Sequence, residues 1–210
     1  MRPVRIALTK GRLEKRATSL FQTMGFDCSK LIGKGRKLIV PVEDYEVVLA
    51  KAADVITYVE HGACDIGIVG KDTIVETGAE VYEMTDLGFG KCFFALAGKK
   101  GSDFYSGYSE KVVATKYPNV ARKFFEGKGM DVKIIKIEGS VELAPLLDLA
   151  DAIVDIVETG TTLKENGLEV IEEIMPISAR VIVNIASMKL RKEEIESFLS
   201  DVNIAKEIIE

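Results

Sequence analysis

The chain has 210 residues, is 47% hydrophobic and carries a formal net charge of −5. A chain of this length buries roughly 70% of the surface it exposes when unfolded, enough for one domain or two small ones, and its interspersed, slightly acidic charge argues against a nucleic-acid-binding face. No apolar run reaches the ~18 residues a membrane span needs, the N-terminus MRPVRIALTKGR has no signal-peptide core, and three scattered cysteines, Cys28, Cys64 and Cys92, read as reduced thiols of a cytoplasmic protein.

In chain order, Val4–Lys10 reads as a strand. Gly11 and Arg12 follow, then a helix whose Leu13, Ala17, Leu20, Phe21 and Met24 share one face, with Gly25 placed as a C-cap. KLIVPV and YEVVLA read as strands around a Glu43–Asp44 turn. Asp54 opens a helix closed by Gly62. DIGIVG is a buried strand, KDTIVETG a short helix, and EVYEMTDLGFG a strand. CFFALAG is a strand before the polar loop KKGSDFYSGYSE. KVVATKY is a strand, and PNVARKFFEGKG a helix with Pro118 in its first turn. VKIIKIEG is a strand, SVELAPLLDLA a helix and DAIVDIVE a strand; TGTTLKENGL forms a loop and helix, then LEVIEEIMPI follows. ARVIVNIAS is the last strand before one or two amphipathic helices. The alternation of strand and helix predicts an α/β fold with mainly parallel sheets in two lobes.

The chemistry concentrates at strand ends. After DAIVDIV come Glu158, Thr159, Gly160, Thr161, Thr162 and Leu163. A small-residue turn leading into a helix offers backbone N–H groups and hydroxyls to an anion, and Gly160 permits a close backbone approach. Asp155 and Glu158 would repel a bare phosphate. They suit sugar hydroxyls, or a magnesium ion held between carboxylate and phosphate, so the stretch favours a sugar phosphate. The plainer reading is a T-x-x-E capping box from Thr162 to Glu165. Lys10, Gly11 and Arg12 put two cations and a glycine at the carboxyl end of the first strand, where α/β sheets bind ligands; a solvated basic turn is the alternative. Gly67 and Gly70 in DIGIVGKD invite close packing or ligand approach, and Asp72 reads as a cap before a ligand contact. Ser140 reads as an N-cap. With a single histidine, His61, and no nucleophile elbow, a Ser-His-Asp triad is unsupported; one histidine and three dispersed cysteines make a poor zinc set.

Taken together, these segments resemble one family. The run EGSVELAPLLDLADAIVDIVETGTTLKENGL, Glu138 to Leu168, resembles the signature of ATP phosphoribosyltransferase, with Asp155, Thr159, Gly160, Thr162 and Leu163 on its pattern. ALTKGRLEK, VEHGACDIGIVGKD and VVATKYPNVARKFFEGKG match the family in order. The length resembles the short form, which lacks a C-terminal regulatory domain. The resemblance implies two lobes of the type II periplasmic-binding-protein kind with the active site between them. Residues 1–90 plus 178–210 would form lobe I and 91–177 lobe II, the chain crossing near 88–92 and 175–180.

The implied reaction joins N1 of the adenine of ATP to C1 of phosphoribosyl pyrophosphate and releases pyrophosphate, the first step of histidine biosynthesis. Thr159–Leu163, including Thr161, would wrap the 5-phosphate, and Asp155 and Glu158 would hold ribose hydroxyls or magnesium. Lys10 and Arg12 would meet phosphates. Gly11, Lys51, Asp72 and Lys91 are ATP-side candidates, although some relatives carry arginine near Lys51 and lysine lacks its bidentate fork. Magnesium would arrive with the substrates rather than in a dedicated cage. Expected partners are the two substrates, with a homodimer or a hetero-oligomer containing a histidyl-tRNA-synthetase-like regulatory subunit, and neither nucleic acid nor membrane. Two other readings are a solute-binding or effector-sensing module on the same architecture and a regulatory subunit that has lost activity; the retained acid and threonine loop favours the enzyme.

Overall fold

A computed structural model describes residues 2–107 and 109–209. Tyr108, within the polar loop KKGSDFYSGYSE, lies outside the described residues. The chain forms two compact units, one running to Gly90 and resuming at Ser178, the other spanning Lys91–Ile177.

The first unit is built on a six-stranded sheet of order β2-β3-β1-β4-β11-β5. Its strands are β1 (Val4–Thr9), β2 (Ile39–Val42), β3 (Tyr45–Ala50), β4 (Ile66–Gly70), β5 (Tyr82–Asp86) and, returning late in the chain, β11 (Ala179–Val183). The central β3, β1 and β4 are parallel; β2, β11 and β5 are antiparallel to their neighbours. Alternation along β1 explains the two-sided core. Ile6 and Leu8 pack with Ala17, Leu20 and Phe21 of α1 (Arg12–Thr23) and Phe198 of α9 (Lys192–Ile209), whereas Ala7 packs with Val55, Ile56 and Val59 of α3 (Ala52–Glu60). Between α1 and β2 lies a single turn, α2 (Ser29–Ile32), which the sequence pattern did not show. The α1 helix ends in a Schellman motif: the Gly25 N–H donates to Gln22 O and the Phe26 N–H to Phe21 O, both at 3.0 Å, with Gly25 at φ 87°. The Phe21 and Phe26 rings supply its hydrophobic contact at 6.0 Å.

The second unit holds a five-stranded sheet of order β10-β6-β9-β7-β8. Here β7 (Lys111–Thr115), β8 (Val132–Lys136) and β9 (Ala152–Val157) are parallel, and β6 (Cys92–Lys99) and β10 (Leu168–Ile177) join antiparallel. The sheets are therefore mixed, with the parallel strands central. The α5 helix (Pro118–Gly127) starts at Pro118 and buries Val120, Ala121 and Phe125.

Three local expectations change. The helix expected over SVELAPLLDLA shrinks to one turn, α6 (Leu143–Leu146), flanked by a left-handed Asp148 at φ 56°; Pro145 supplies no amide to extend it, and Ser140 does not cap it. The last strand stops at Val183, because the Asn184 side chain accepts from the Ser187 N–H at 2.9 Å and opens α8 (Ile185–Leu190). Helix α3 begins at Ala52, two residues before Asp54.

The returning C-terminal segment is fastened by one carboxylate. Asp65 is 1% exposed. It accepts from Arg2 at 2.6 and 3.1 Å, the Arg5 N–H at 2.9 Å and the Ser187 hydroxyl at 2.7 Å, and meets Arg191 at 3.4 Å. Burial pushes its carboxyl up, but the Arg2 guanidinium, the Arg5 amide and Ser187 outweigh burial and hold it below the usual range. A lowered folded pKa gives stability that is present above the unfolded value and lost as pH falls through the folded one. Asp65→Ala leaves the Arg5 N–H and the Ser187 hydroxyl without their acceptor and takes a carboxylate from Arg2 and from Arg191, which keeps Glu194, and is expected to cost about 3–5 kcal/mol in urea unfolding at pH 7. The deficit relative to the unsubstituted chain should shrink below pH ~4; a cost under about 1 kcal/mol would mean the cluster is peripheral.

Candidate active site

The two parallel triplets end in the same way. In the first unit the Thr9 hydroxyl donates to Ile68 O at 3.1 Å, tying the end of β1 to β4. The Lys10 N–H donates to Ala50 O at 2.9 Å, so Lys10 emerges beside Lys51. Gly11 follows at φ 95°, a backbone that strains any L side chain, and caps α1, whose first residue is Arg12. Lys51 caps α3. After β4, Asp72 stands in the first turn of α4 (Lys71–Thr77) and folds back over Gly70, where an added Cβ would lie 2.0 Å from Asp72 Oδ1. The structure thus gathers Lys10, Gly11, Arg12, Lys51 and Asp72 at the carboxyl edge of one sheet, where α/β folds place ligands. Gly67 serves packing: an added Cβ would meet Val59 at 2.8 Å and Ile182 at 2.9 Å.

In the second unit the Thr115 hydroxyl donates to Val154 O at 2.6 Å and accepts from the Tyr117 N–H at 2.8 Å, tying β7 to β9. Thr115 pairs with Val154, and the register continues to set Lys116 beside Asp155. On the other side Phe93 of β6 pairs with Val157; Lys91 lies just before β6, and Glu158 and Thr159 just after β9, at that end of the pair. Lys91, Asp155, Glu158 and Thr159 are therefore brought to one edge of this sheet.

Asp155 is the unusual group. Burial raises its carboxyl to about 6; the Ile156 N–H and Lys116 pull it down, and the negative charge of Glu142 pushes it up. Five residues on, Gly160 adopts φ 74° and caps α7 (Thr161–Glu165). The helix thus starts one residue before Thr162, and the T-x-x-E capping box is not formed. Thr159 takes the turn-closing role instead: its Oγ1 lies 3.0 Å from Thr161 Oγ1 and 3.4 Å from the Thr161 N–H. Leu163 is buried in the core with Ile153 and Val157 and pins the loop from below. The first-turn amides of α7 lack intrahelical partners. Beside them lies an open hollow of about 560 Å³ lined by Thr159, Gly160, Thr161, Lys164 and Glu165.

Sequence reasoning passed over Lys116 and Glu142. Lys116 looked like the end of an ordinary strand, and only the β7–β9 register shows it next to Asp155. Glu142 was absorbed into an expected helix. The nearby Glu138 pairs with Lys136 at 2.7 Å, mainly through a hydrogen bond that lowers its pKa. His61 is an exposed C-cap. Cys28 and Cys64 are buried, and burial raises both thiols, Cys64 to about 11, leaving them unreactive.

A family model described as HisG, ATP phosphoribosyltransferase, matches residues 51–203. The chain belongs to this family. ATP phosphoribosyltransferases of Clostridium kluyveri and Clostridium acetobutylicum are 62% and 60% identical to it over 205 and 201 residues. These alignments cover 97% and 95% of this chain and 94% of each relative. A solved ATP phosphoribosyltransferase (HisG:HisZ) complex from Thermotoga maritima superposes with a TM-score of 0.84 at 36% identity, covering 97% of this chain and 98% of that one. The periplasmic aliphatic sulphonate binding protein SsuA of Escherichia coli shares the fold alone, at a TM-score of 0.58 and 11% identity over 97% of this chain and 72% of that one. The protein is an ATP phosphoribosyltransferase of histidine biosynthesis, with the type II periplasmic-binding-protein fold.

Because the Asp155 pKa is raised on folding, its ionised form opposes folding. The penalty is absent below pH ~4, where the carboxyl is protonated folded and unfolded, and grows as pH rises through about 6. Asp155→Asn should therefore stabilise the ligand-free protein at pH 8, by on the order of 1–2 kcal/mol, and by about a third as much at pH 4.5. Melting curves at the two pH values test this; equal destabilisation at both would show that the carboxylate is a structural partner.

Proposed function

We propose that the second unit binds phosphoribosyl pyrophosphate through Asp155 and the Glu158–Leu163 loop, and that Lys10 and Arg12 contact substrate phosphates. The supporting observation is a half-buried carboxylate of raised pKa five residues before a left-handed glycine that is flanked by two hydroxyls the expected capping box does not consume. Asp155 accepts from the ribose hydroxyls, and Glu158 assists it. Thr159, Thr161, Thr162 and the backbone of Gly160 and Leu163 donate to the 5-phosphate. Gly11, Lys51, Asp72 and Lys91 serve the nucleotide and pyrophosphate groups. The ribosyl C1 becomes cation-like as pyrophosphate leaves and adenine N1 attacks. Catalysis accordingly rests on orientation and on charge placed in advance, and Lys10, Arg12 and Asp155 supply it.

The family uses Mg2+. Among the described residues no three or more His, Cys, Asp or Glu side chains come together to hold a metal. Carboxylates such as Asp155 and Glu158 fit a cation that brings water and phosphate oxygens as its other ligands. Such an ion would neutralise charge on the departing pyrophosphate.

Residues 1–90 with 178–210 are proposed to act as lobe I and 91–177 as lobe II of the enzyme, working in the cytoplasm. The free thiols are in keeping with a reducing compartment. A regulatory subunit of the histidyl-tRNA-synthetase-like kind is proposed as partner, supported by the Thermotoga maritima relative having been solved as a HisG:HisZ complex. No described helix is long and apolar enough to cross a membrane.

The purified chain should form phosphoribosyl-ATP from ATP and phosphoribosyl pyrophosphate with Mg2+, alone or once that subunit is added. Asp155→Ala combined with Thr162→Ala should weaken phosphoribosyl pyrophosphate binding at least tenfold, about 1.4 kcal/mol or more, without lowering the melting temperature. Unchanged calorimetric affinity with a lowered melting temperature would reduce the loop to a structural cap.

A further inference from the structure

One cation at the carboxyl edge of the second unit's sheet has no part in the reaction as described so far. Lys116 follows β7, and the register that pairs Thr115 with Val154 carries it to the side of Asp155. Its backbone is held from both directions. Thr115 is buried and donates to Val154 O at 2.6 Å, and the Tyr117 ring meets Phe94 edge-on with centroids 4.9 Å apart. Lys116 itself is exposed, so a compact charge on a flexible four-carbon stem projects from a fixed base.

That charge has no direct partner. Among the described residues no side chain hydrogen-bonds to the Lys116 ammonium or forms an ion pair with it, although its field reaches both Asp155 and Glu138. Glu138 pairs with Lys136 instead, at 2.7 Å. At Asp155 burial outweighs the pull of Lys116, and the carboxyl stays raised. A lysine close to two carboxylates and bonded to neither is available to another anion. The α5 helix begins two residues on, at Pro118, and the positive end of its dipole favours the same charge.

The place of Lys116 across the sheet indicates which anion. In the order β10-β6-β9-β7-β8 the central strand is β9. The loop after β9 leads into α7, which packs against β10 on one side of β9. Lys116 lies on the other side, at the end of β7. A ribose with its 5-phosphate at that loop and its ring hydroxyls on Asp155 therefore crosses β9. Its C1, at the end of the ring away from C5, faces β7. We propose that Lys116 binds the pyrophosphate group of phosphoribosyl pyrophosphate and stabilises the negative charge that gathers there as it leaves. This rests on the reading of Asp155 and the Glu158–Leu163 loop given above. In the step, the C1–O bond breaks and its electron pair departs with pyrophosphate, while the lone pair of adenine N1 forms the new C1–N bond. Lys116 keeps its proton throughout and supplies charge and a hydrogen bond.

The test is calorimetric binding with Mg2+ on the full chain, in whichever form, alone or with a regulatory subunit, makes phosphoribosyl-ATP. The probes are phosphoribosyl pyrophosphate, inorganic pyrophosphate and ribose 5-phosphate. Lys116→Ala should weaken the first two by about tenfold or more and leave ribose 5-phosphate within about twofold. Lys116→Arg should recover most of the loss, because it keeps the charge. Asp155→Ala should give the reverse pattern, losing ribose 5-phosphate and sparing pyrophosphate. Lys116 is exposed, so Lys116→Ala should keep the circular dichroism spectrum and melting temperature of the parent. Undiminished binding of phosphoribosyl pyrophosphate and pyrophosphate by Lys116→Ala, with Asp155→Ala still losing ribose 5-phosphate, would overturn the role of Lys116 alone. An equal loss of ribose 5-phosphate in Lys116→Ala would put the lysine at the ribose or its 5-phosphate and would also overturn it. Ribose 5-phosphate binding indifferent to Asp155→Ala would overturn the loop reading, and this proposal with it.

Discussion

Thr115 donates its hydroxyl to the Val154 carbonyl at 2.6 Å, and this bond closes the end of the parallel β7–β9 pair. The site in the second unit depends on it. A parallel ladder has one register per alignment, and slipping by one residue reverses which side chains face the core. With Thr115 fixed against Val154, Asp155 reaches the sheet's edge beside Lys116, and the chain has only five residues in which to turn into α7. Gly160 makes that turn in the left-handed region, and Leu163 anchors it in the core. Thr9 repeats the device in the first unit by tying β1 to Ile68, which places Lys10 and Arg12 at the equivalent edge.

Two aspartates show how burial can serve opposite ends. Asp65 is taken out of water among guanidiniums, an amide and a hydroxyl that together exceed the desolvation cost, so its charge holds the returning C-terminal segment to the sheet. Asp155 is partly buried with a single amide and one lysine against it, and Glu142 works in the other direction. Its ionised form is left short of partners. Sites that must bind polar ligands keep such unmet demand, at a cost in stability that the remainder of the fold supplies. Ribose hydroxyls are the kind of donors that would meet it.

Much of this was legible in the residues. The 3.6-residue periodicity of Leu13, Ala17, Leu20, Phe21 and Met24 marks α1, and Gly25 marks its end, because only a residue tolerant of positive φ completes a Schellman motif there. The TGTTL turn after an acidic apolar strand was readable as an anion-binding candidate from local chemistry. Other features were not readable because they depend on neighbours distant in sequence. Pattern alone did not show that the flanking strands run antiparallel. The one-turn α6 was masked by helix-forming leucines, since apolar spacing cannot distinguish a buried helix face from an exposed ridge. Thr162 looked like a cap, yet Gly160 took that place two residues earlier, with Thr159 closing the turn.

The sequence by itself determined the order of strands and helices, the glycines that end them, and the motif that places the chain in its family, because all of these are set by bonds and contacts within a few residues. Tertiary structure alone decided which groups share an edge. Lys116 stands beside Asp155 across a gap of about forty residues, and Asp65 gathers Arg2 and Arg191 from the two ends of the chain. Those meetings follow from strand register and from the return of β11, and the electric field at Asp155 is the sum over neighbours that only folding brings within range.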